Sequence, residues 1–265
     1  MKEPASDIEV ALSAAAAGAA VVRAAYGAVH IRHEKDGADF ATEVDLDAER
    51  AILGVIEAAR PGDIRIGEEF GHSGGSGDRR WLVDPLCGTV NFAAQTPLIA
   101  VNVALLDGSS NIAAVSADPI TGEFFWTDGQ RAFVRRDGSD VPLDPSPESR
   151  LVDVNCDGPT DRPFVGPQLL ADPAFRAVFG ARVVSTTLAV AWVAGGRRAG
   201  YVSDGNFTDN VHFSAGIALC RSAGCVVTDL TGQSLEGGRG LIVAAETVTH
   251  QRLVQLIRPH MGEAP

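Results

Sequence analysis

Helix-patterned and strand-patterned segments take turns along nearly the whole chain, and that alternation limits the fold more than any other feature. Residues 5–30 are Ala-rich, carry no internal proline and begin at Ser6-Asp7, a natural cap, which predicts a long first helix. "DFATEVDLDAERAILGVIEAARP" predicts a short strand or turn and then a helix over 45–59, ended by Pro61 and Gly62. "DIRIGEEF" and "RWLVDPL" predict strands, the second buried, and "HSGGSGD" at 72–78 predicts a flexible loop. Between 98 and 136, "LIAVNVALLDG", "NIAAVSADPITGEFFWTDG" and "RAFVRRDG" predict an antiparallel meander. Beyond a Pro-, Ser- and Asp-rich stretch at 137–150, strand and helix patterns alternate again, with helices over 168–179, "TTLAVAWVAGG" and "FSAGIALCRSAG" and a closing helix at "TVTHQRLVQLIRPH". The pattern predicts an α/β layered sandwich with mixed sheets, divided into an N-terminal half, 1–150, and a C-terminal half, 151–265.

The 265 residues and 45% hydrophobic content allow a sizeable core. A net charge of −12 argues against nucleic acid or an anionic membrane as the main partner and leaves a small molecule as the expected one. The four cysteines, Cys87, Cys156, Cys220 and Cys225, form no CxxC pair, which fits a reducing compartment. "MKEPASDIEV" has no basic region followed by an apolar run, and Glu9 and Arg23 bracket the Ala-rich stretch 11–20 too closely for a membrane span. A cytoplasmic protein is expected.

The chemistry concentrates in "WLVDPLCGTVNF", residues 81–92. An apolar strand ends in Asp84-Pro85, and Gly88-Thr89 opens a helix, where backbone N–H groups can meet a phosphate. Upstream, "IGEEF" places Glu68 and Glu69 at the end of another strand. Clustered carboxylates of this kind can hold cations that neutralise phosphoryl oxygens, generate a hydroxide and stabilise a leaving alkoxide.

"IGEEF", "WLVDPLCGTVNF" and "SAGIALCRSAGCVVTDLTG", in this order and spacing, resemble the inositol monophosphatase family, lithium-sensitive and magnesium-dependent phosphatases. "EKDGADFATEVDLDAE" and "VSTTLAVAWVAGGRRAGYV" extend the resemblance over nearly the whole chain. It implies a five-layered αβαβα sandwich, a homodimer, a divalent metal cofactor and a small phosphorylated substrate. It also implies that Glu68, Asp84 and the Leu86 carbonyl hold a first metal, and that Asp45 and Thr89 activate water. Gly88 and Thr89 would seat the phosphate, Lys35 would balance the carboxylates, and Ser185 and Thr186 would offer binding hydroxyls. The family's substrate-contacting Glu has no match; Ser203, Asp204 and Gly205 occupy that neighbourhood.

The second metal is where the chain departs. The family holds it with the first Asp, an Asp three residues later, and an Asp opening the late helix after a Trp. Here Cys87 stands at the middle position, and "VHFSAG" puts Val211 for the Trp and His212 for the last Asp. Three readings follow. The site has decayed and the protein is a pseudophosphatase that binds a ligand. Or Asp, Cys and His make a softer site suited to Zn²⁺ or Fe²⁺ rather than Mg²⁺. Or Cys87 is a thiolate nucleophile with His212 as its base. Asp209, three residues before His212, is a substitute carboxylate or a helix cap.

The remaining candidates read as structural. His30, His33, His250 and His260 are expected to face solvent, and His72 to lie on a surface loop. Glu69 is a neighbouring or solvated acid, and Cys156, Cys220 and Cys225 are expected in the core.

Overall fold

The computed structural model describes residues 4–28, 32–34, 40–158, 164–207, 210–236 and 238–261. His30, Lys35 and Asp209 lie outside the described residues. The chain forms two compact units: Met1–Pro142 with Thr186–Leu188 and Val211–Leu219, and Leu143–Ser185 with Ala189–Asn210 and Cys220–Pro265. The division at Pro142/Leu143 lies within the Pro-, Ser- and Asp-rich stretch 137–150. Two short segments from later in the chain join the first unit.

The first unit begins with α1 (Asp7–Ala25), whose Glu9 carboxylate accepts both the backbone N–H and the hydroxyl of Ser6 at 2.7 Å. It is shorter than the predicted 5–30, because Tyr26 adopts an extended backbone at ψ 131°. By length and composition α1 is apolar enough to cross a membrane, but its Val10, Ala14, Ala15 and Val22 are buried against α2 and the sheet. Strands β1 (Arg32–Glu34) and β2 (Phe40–Thr42) pair antiparallel and lead into α2 (Glu43–Ala59). Thr42 caps α2, and Asp45 closes the capping box by accepting the Thr42 N–H at 2.8 Å and its hydroxyl at 2.6 Å.

Next come β3 (Ile64–Gly67), β4 (Gly71–Gly74), β5 (Arg79–Cys87), the single-turn α3 (Thr89–Ala93), β6 (Ala100–Asp107), β7 (Ser110–Ala117), β8 (Phe124–Thr127), β9 (Ala132–Arg136) and β10 (Ser139–Pro142). They form an eight-stranded sheet in the order β10-β9-β8-β7-β6-β5-β3-β4, antiparallel except between β3 and β5. The meander expected over 98–136 is β6 to β9, and it runs one strand further, since β10 pairs with β9 inside the Pro-, Ser- and Asp-rich stretch 137–150. The loop expected at 72–78 is likewise part strand, because the free edge of β3 offers backbone partners to Gly71–Gly74.

Strand alternation sorts the side chains of the sheet. Trp81, Val83, Val101, Val103, Leu105 and Val115 face α1 and α2. Leu82, Ala104, Leu106 and Ala114 face the other way, against Val211, Ala215 and Ala218.

The second unit contains β11 (Leu151–Val154), α4 (Val165–Ala171), α5 (Pro173–Val178), β12 (Gly180–Val183), α6 (Leu188–Ala194), β13 (Gly200–Ser203), α7 (Ser214–Ala223), β14 (Val226–Thr228), β15 (Leu241–Ala244) and α8 (Thr247–Ile257). Leu188 and the first part of α7 belong to the first unit. The five-stranded sheet, β12-β11-β13-β15-β14, is mixed, with β11 parallel to both neighbours. The predicted 168–179 helix is two helices, since Pro173 cannot continue the hydrogen-bond ladder and Asp172 caps the second by accepting the Ala174 N–H. His250, expected in solvent, is instead buried on the inner face of α8, 2.7 Å from the Thr228 hydroxyl. His260 is also not freely exposed, lying 3.0 Å from Asp172. His33 and His72 are exposed, and Cys220 and Cys225 are buried.

Candidate metal and phosphate site

Asp84 pairs with Asn102 across β5 and β6, and Asn102 pairs with Ser116 across β6 and β7. All three share the parity of Leu82, Ala104 and Ala114, so they stand as a polar row on the sheet face that packs against the start of α7. None of the three is exposed to solvent. Beyond Asp84 the ladder slips, with a register shift between Asp84 and Cys87. Pro85, which has no N–H to donate, sits in that irregularity. The slip ends the strand and lets Cys87 and the following turn join the same locality.

His212, just ahead of α7, directs Nδ1 at Asp84 Oδ2 from 2.9 Å and at Glu68 Oε2 from 3.8 Å. Asn102 Nδ2 donates to the same Asp84 oxygen at 3.3 Å and to Thr187 Oγ1 at 2.8 Å, while Asn102 Oδ1 accepts from Ser116. The other Asp84 oxygen, Oδ1, is buried with no hydrogen-bond partner among the described residues. Ligand atoms of Asp84, Cys87 and His212 all lie within 4.8 Å of one another. Cys87 is partly exposed as a residue, yet its thiol is pushed well above its ordinary pKa, first by burial and then by the Asp84 and Glu68 charges. Hydrogen bonds from the Thr187 side chain and backbone act in the opposite direction.

A second arrangement adjoins the first through the Leu86 carbonyl. Thr89 Oγ1 lies 2.9 Å from Asp45 Oδ1 and 3.2 Å from the Leu86 oxygen. Asp45 is fully buried, and burial raises its pKa despite hydrogen bonds from Thr42 and Thr89. Gly88 precedes Thr89 at φ 98°, a left-handed conformation, and a Cβ there would meet the Leu98 carbonyl at 2.8 Å. The helix that Gly88-Thr89 opens is only five residues long, so its dipole adds little to an anion seat.

Glu68 is presented by a turn that Glu49 holds from beneath. The buried Glu49 carboxylate accepts the Glu69 N–H at 2.8 Å and the Phe70 N–H at 2.9 Å, and burial raises its pKa. Its Oε1 lies 1.8 Å from where a Cβ on Gly67 would be, so only glycine permits this approach.

Of the residues singled out from sequence, Glu68, Asp84, Cys87 and His212 come together, and Asp45, Thr89 and Leu86 form the adjoining set. Thr186 is buried, and its hydroxyl accepts the Leu188 N–H at 3.3 Å. Ser185 belongs to the second unit, where its hydroxyl donates to Asp157. Four residues escaped sequence reading: Glu49, Asn102, Ser116 and Thr187. For Asn102 and Ser116 a signal existed, a lone polar side chain in an apolar strand ("AVNVALL", "AAVSA"), but which strands neighbour which is not written there. Glu49 reads as one more helix-surface acid in "DLDAER".

The donor sets fit cations of two kinds. Glu68, Asp84 and the Leu86 carbonyl are oxygen donors suited to a hard ion such as Mg²⁺, and the orphaned Asp84 Oδ1 gives such an ion a buried acceptor. Asp84, Cys87 and His212 supply oxygen, sulfur and nitrogen, a set typical of Zn²⁺. Ligand atoms around such an ion, at bond lengths of about 2.0–2.3 Å, lie about 3–4 Å apart, so the observed cluster needs little adjustment.

The inositol monophosphatase family model matches residues 3–261. The inositol-1-monophosphatase of Caulobacter vibrioides is 30% identical over 239 residues, covering 85% of this chain and 90% of its own length. The Nus factor SuhB of Pseudomonas aeruginosa is 33% identical over 242 residues, 86% of each chain. Among solved structures, the extragenic suppressor protein suhB from Bartonella henselae matches with a TM-score of 0.84 at 27% identity, over 94% of this chain and 97% of that one. The α/β fold is the one these relatives share.

Proposed function

This chain belongs to the inositol monophosphatase family, and we propose that it hydrolyses the phosphomonoester of a small metabolite with an altered, thiophilic second metal site. The family is one of metal-dependent phosphoric monoester hydrolases, typically using Mg²⁺. The observation that carries the proposal is the mutual approach of Asp84, Cys87 and His212 beside an unpartnered, buried Asp84 oxygen. Two replacements that both keep a metal-ligating atom, placed within reach of one carboxylate, favour a retuned site over a decayed one.

In this reading Glu68, Asp84 and the Leu86 carbonyl hold a hard cation, and Asp84, Cys87 and His212 hold a softer one such as Zn²⁺ or Fe²⁺. When bound, the cations supply charge that offsets the phosphoryl oxygens and acidify water for attack. Asp45 accepts the Thr89 proton at 2.9 Å, which leaves the Thr89 oxygen free to accept a hydrogen bond from a water and orient it. Burial makes Asp45 the more basic partner that this role requires. Gly88 and Thr89 would offer backbone N–H groups to the phosphate, with Thr186 as a further substrate contact. The substrate is a small phosphorylated molecule, the location cytoplasmic and the assembly a homodimer.

The Cys–His nucleophile reading has weaker support. A reactive thiolate needs a cationic neighbour, whereas Cys87 faces Asp84 and Glu68, and His212 is tied to Asp84.

Phosphate release from sugar, inositol and nucleotide monophosphates, assayed with Mg²⁺, Mn²⁺, Zn²⁺ and Fe²⁺ in turn, tests the proposal. Turnover that is best with a thiophilic ion supports it. No release under any metal, from protein shown to be folded, leaves a ligand-binding pseudophosphatase in its place.

A further inference from the structure

We propose that Cys220 and Cys225 are a paired modification site: two thiols, held together by the turn that ends α7, which a peroxide converts into a disulfide. The inference is independent of the metal site and of the reaction proposed for it.

The pairing follows from backbone geometry. The Cys225 N–H donates to the Cys220 carbonyl at 2.9 Å, and the Gly224 N–H donates to the Arg221 carbonyl at 3.1 Å. Gly224 has φ 89°, in the left-handed region that glycine adopts without strain. Together these make a Schellman motif, with Cys220 and Cys225 at the two positions whose side chains commonly touch. The bond from one cysteine to the other also limits their separation. With standard bond lengths, a 2.9 Å N–H···O contact keeps the two Cα atoms within about 6.8 Å, a span that disulfides cover. Two aliphatic side chains would fill these positions equally well; here both carry sulfur.

Both are free thiols, but they are not equally protected. Cys220 has no exposure, and its thiol donates to the Val190 carbonyl at 3.2 Å. Cys225 is 9% exposed and directly follows Gly224, which lies on the surface. Helix ends open locally at little cost, so the last turn of α7 is where a small oxidant enters, and Cys225 is the sulfur it meets first.

The chemistry balances in two steps. The Cys225 sulfur attacks one oxygen of hydrogen peroxide and the O–O bond breaks, giving a sulfenic acid on Cys225 and one water. The Cys220 sulfur then attacks the Cys225 sulfur. The S–S bond forms, the S–O bond breaks, and the hydroxyl leaves as a second water with the Cys220 proton. The peroxide gains the two electrons that the thiols lose. In a reducing compartment such a bond is transient and marks exposure to oxidant.

Trypsin provides the test, because Arg221 lies between the two cysteines and Arg198 and Arg239 bound the flanking peptides. The folded full chain is treated with hydrogen peroxide, denatured in excess N-ethylmaleimide and digested without reductant. Peptides 199–221 and 222–239 are expected as one joined species, two hydrogens lighter than their sum, which dithiothreitol separates. Closing a preset turn should also raise Tm by about 2–8 °C over the reduced protein, because the link constrains the unfolded chain without distorting the folded one. Cys220→Ala, treated identically, is the control that must show neither the joined species nor the rise; should it fail to fold, Cys225→Ala takes its place. The inference is overturned if the two peptides remain separate, if Cys225 joins Cys87 or Cys156 instead, or if the linked protein melts at or below the reduced one.

Discussion

His212 Nδ1 stands 2.9 Å from Asp84 Oδ2, at the position where the family resemblance leads one to expect a third carboxylate. An acid there would set negative charge against negative charge and require a cation to relieve it. A histidine can instead donate a proton to Asp84, so one side of the carboxylate is satisfied by the protein itself. The remaining oxygen is buried with no hydrogen-bond partner among the described residues, which leaves it able to meet a cation.

Restoring both acids with C87D and H212D together should move the protein toward Mg²⁺. Mg²⁺-dependent phosphate release is expected to rise about tenfold or more, and the advantage of a thiophilic ion to disappear. A double variant that loses the natural activity and gains none with Mg²⁺ would show that Cys87 and His212 are committed to other chemistry.

Gly88→Ala forces a side chain into a left-handed conformation, a cost of about 1–2 kcal/mol, and drives its Cβ toward the Leu98 carbonyl. Thermal unfolding should register the loss. Displacement of Thr89 from Asp45 should lower kcat more than it raises KM, because water orientation is affected more than substrate binding.

Glu49→Ala leaves the Glu69 and Phe70 amides without their acceptor. Urea unfolding is expected to show a loss of about 2 kcal/mol, with Mg²⁺ affinity reduced as the turn carrying Glu68 loosens. Glu49→Gln keeps one strong acceptor and should fall between the two. Unchanged Mg²⁺ binding in Glu49→Ala would remove Glu49 from any part in presenting Glu68.

Burial lowers the His250 pKa below its ordinary value of about 6.5. Thr228 donates its hydroxyl to the Asp229 carbonyl at 2.8 Å, so it accepts from His250 Nε2–H, and the neutral ring is the folded form. Between the folded and unfolded pKa values the unfolded chain binds the extra proton, so stability rises with pH there. The contribution is complete above about pH 6.5, shrinks as pH falls through the unfolded pKa, and levels off below the folded one. Chemical denaturation of the parent and of His250→Gln at several pH values should show this slope in the parent alone. Parallel curves would contradict it.

The expected first metal set and the Asp45–Thr89 pair came from the resemblance to the inositol monophosphatase family, whose matching motifs are short and local in the chain. Gly67-Glu68-Glu69 ends one strand, Asp84-Pro85-Leu86 ends another, and the turn at Gly88-Thr89 follows directly. The ends of elements were less legible: Tyr26 stopped α1 early, Pro173 split a helix, β4 formed where glycines had read as loop, and β10 formed inside the Pro-, Ser- and Asp-rich stretch. In the last two cases a free strand edge recruited backbone that has little strand propensity of its own.

By itself the sequence determined the alternation of elements, the strand-end acids and the replacement of two expected carboxylates by Cys87 and His212, since all of these are local in the chain. Tertiary structure alone decided that Asp84, Asn102 and Ser116 form one row, because strand register is a relation between segments rather than a property of any one of them. It also decided that Thr187, far along the chain, accepts from Asn102 and so joins that row. A buried polar group must find its partners wherever folding brings them, and only packing determines which groups those are.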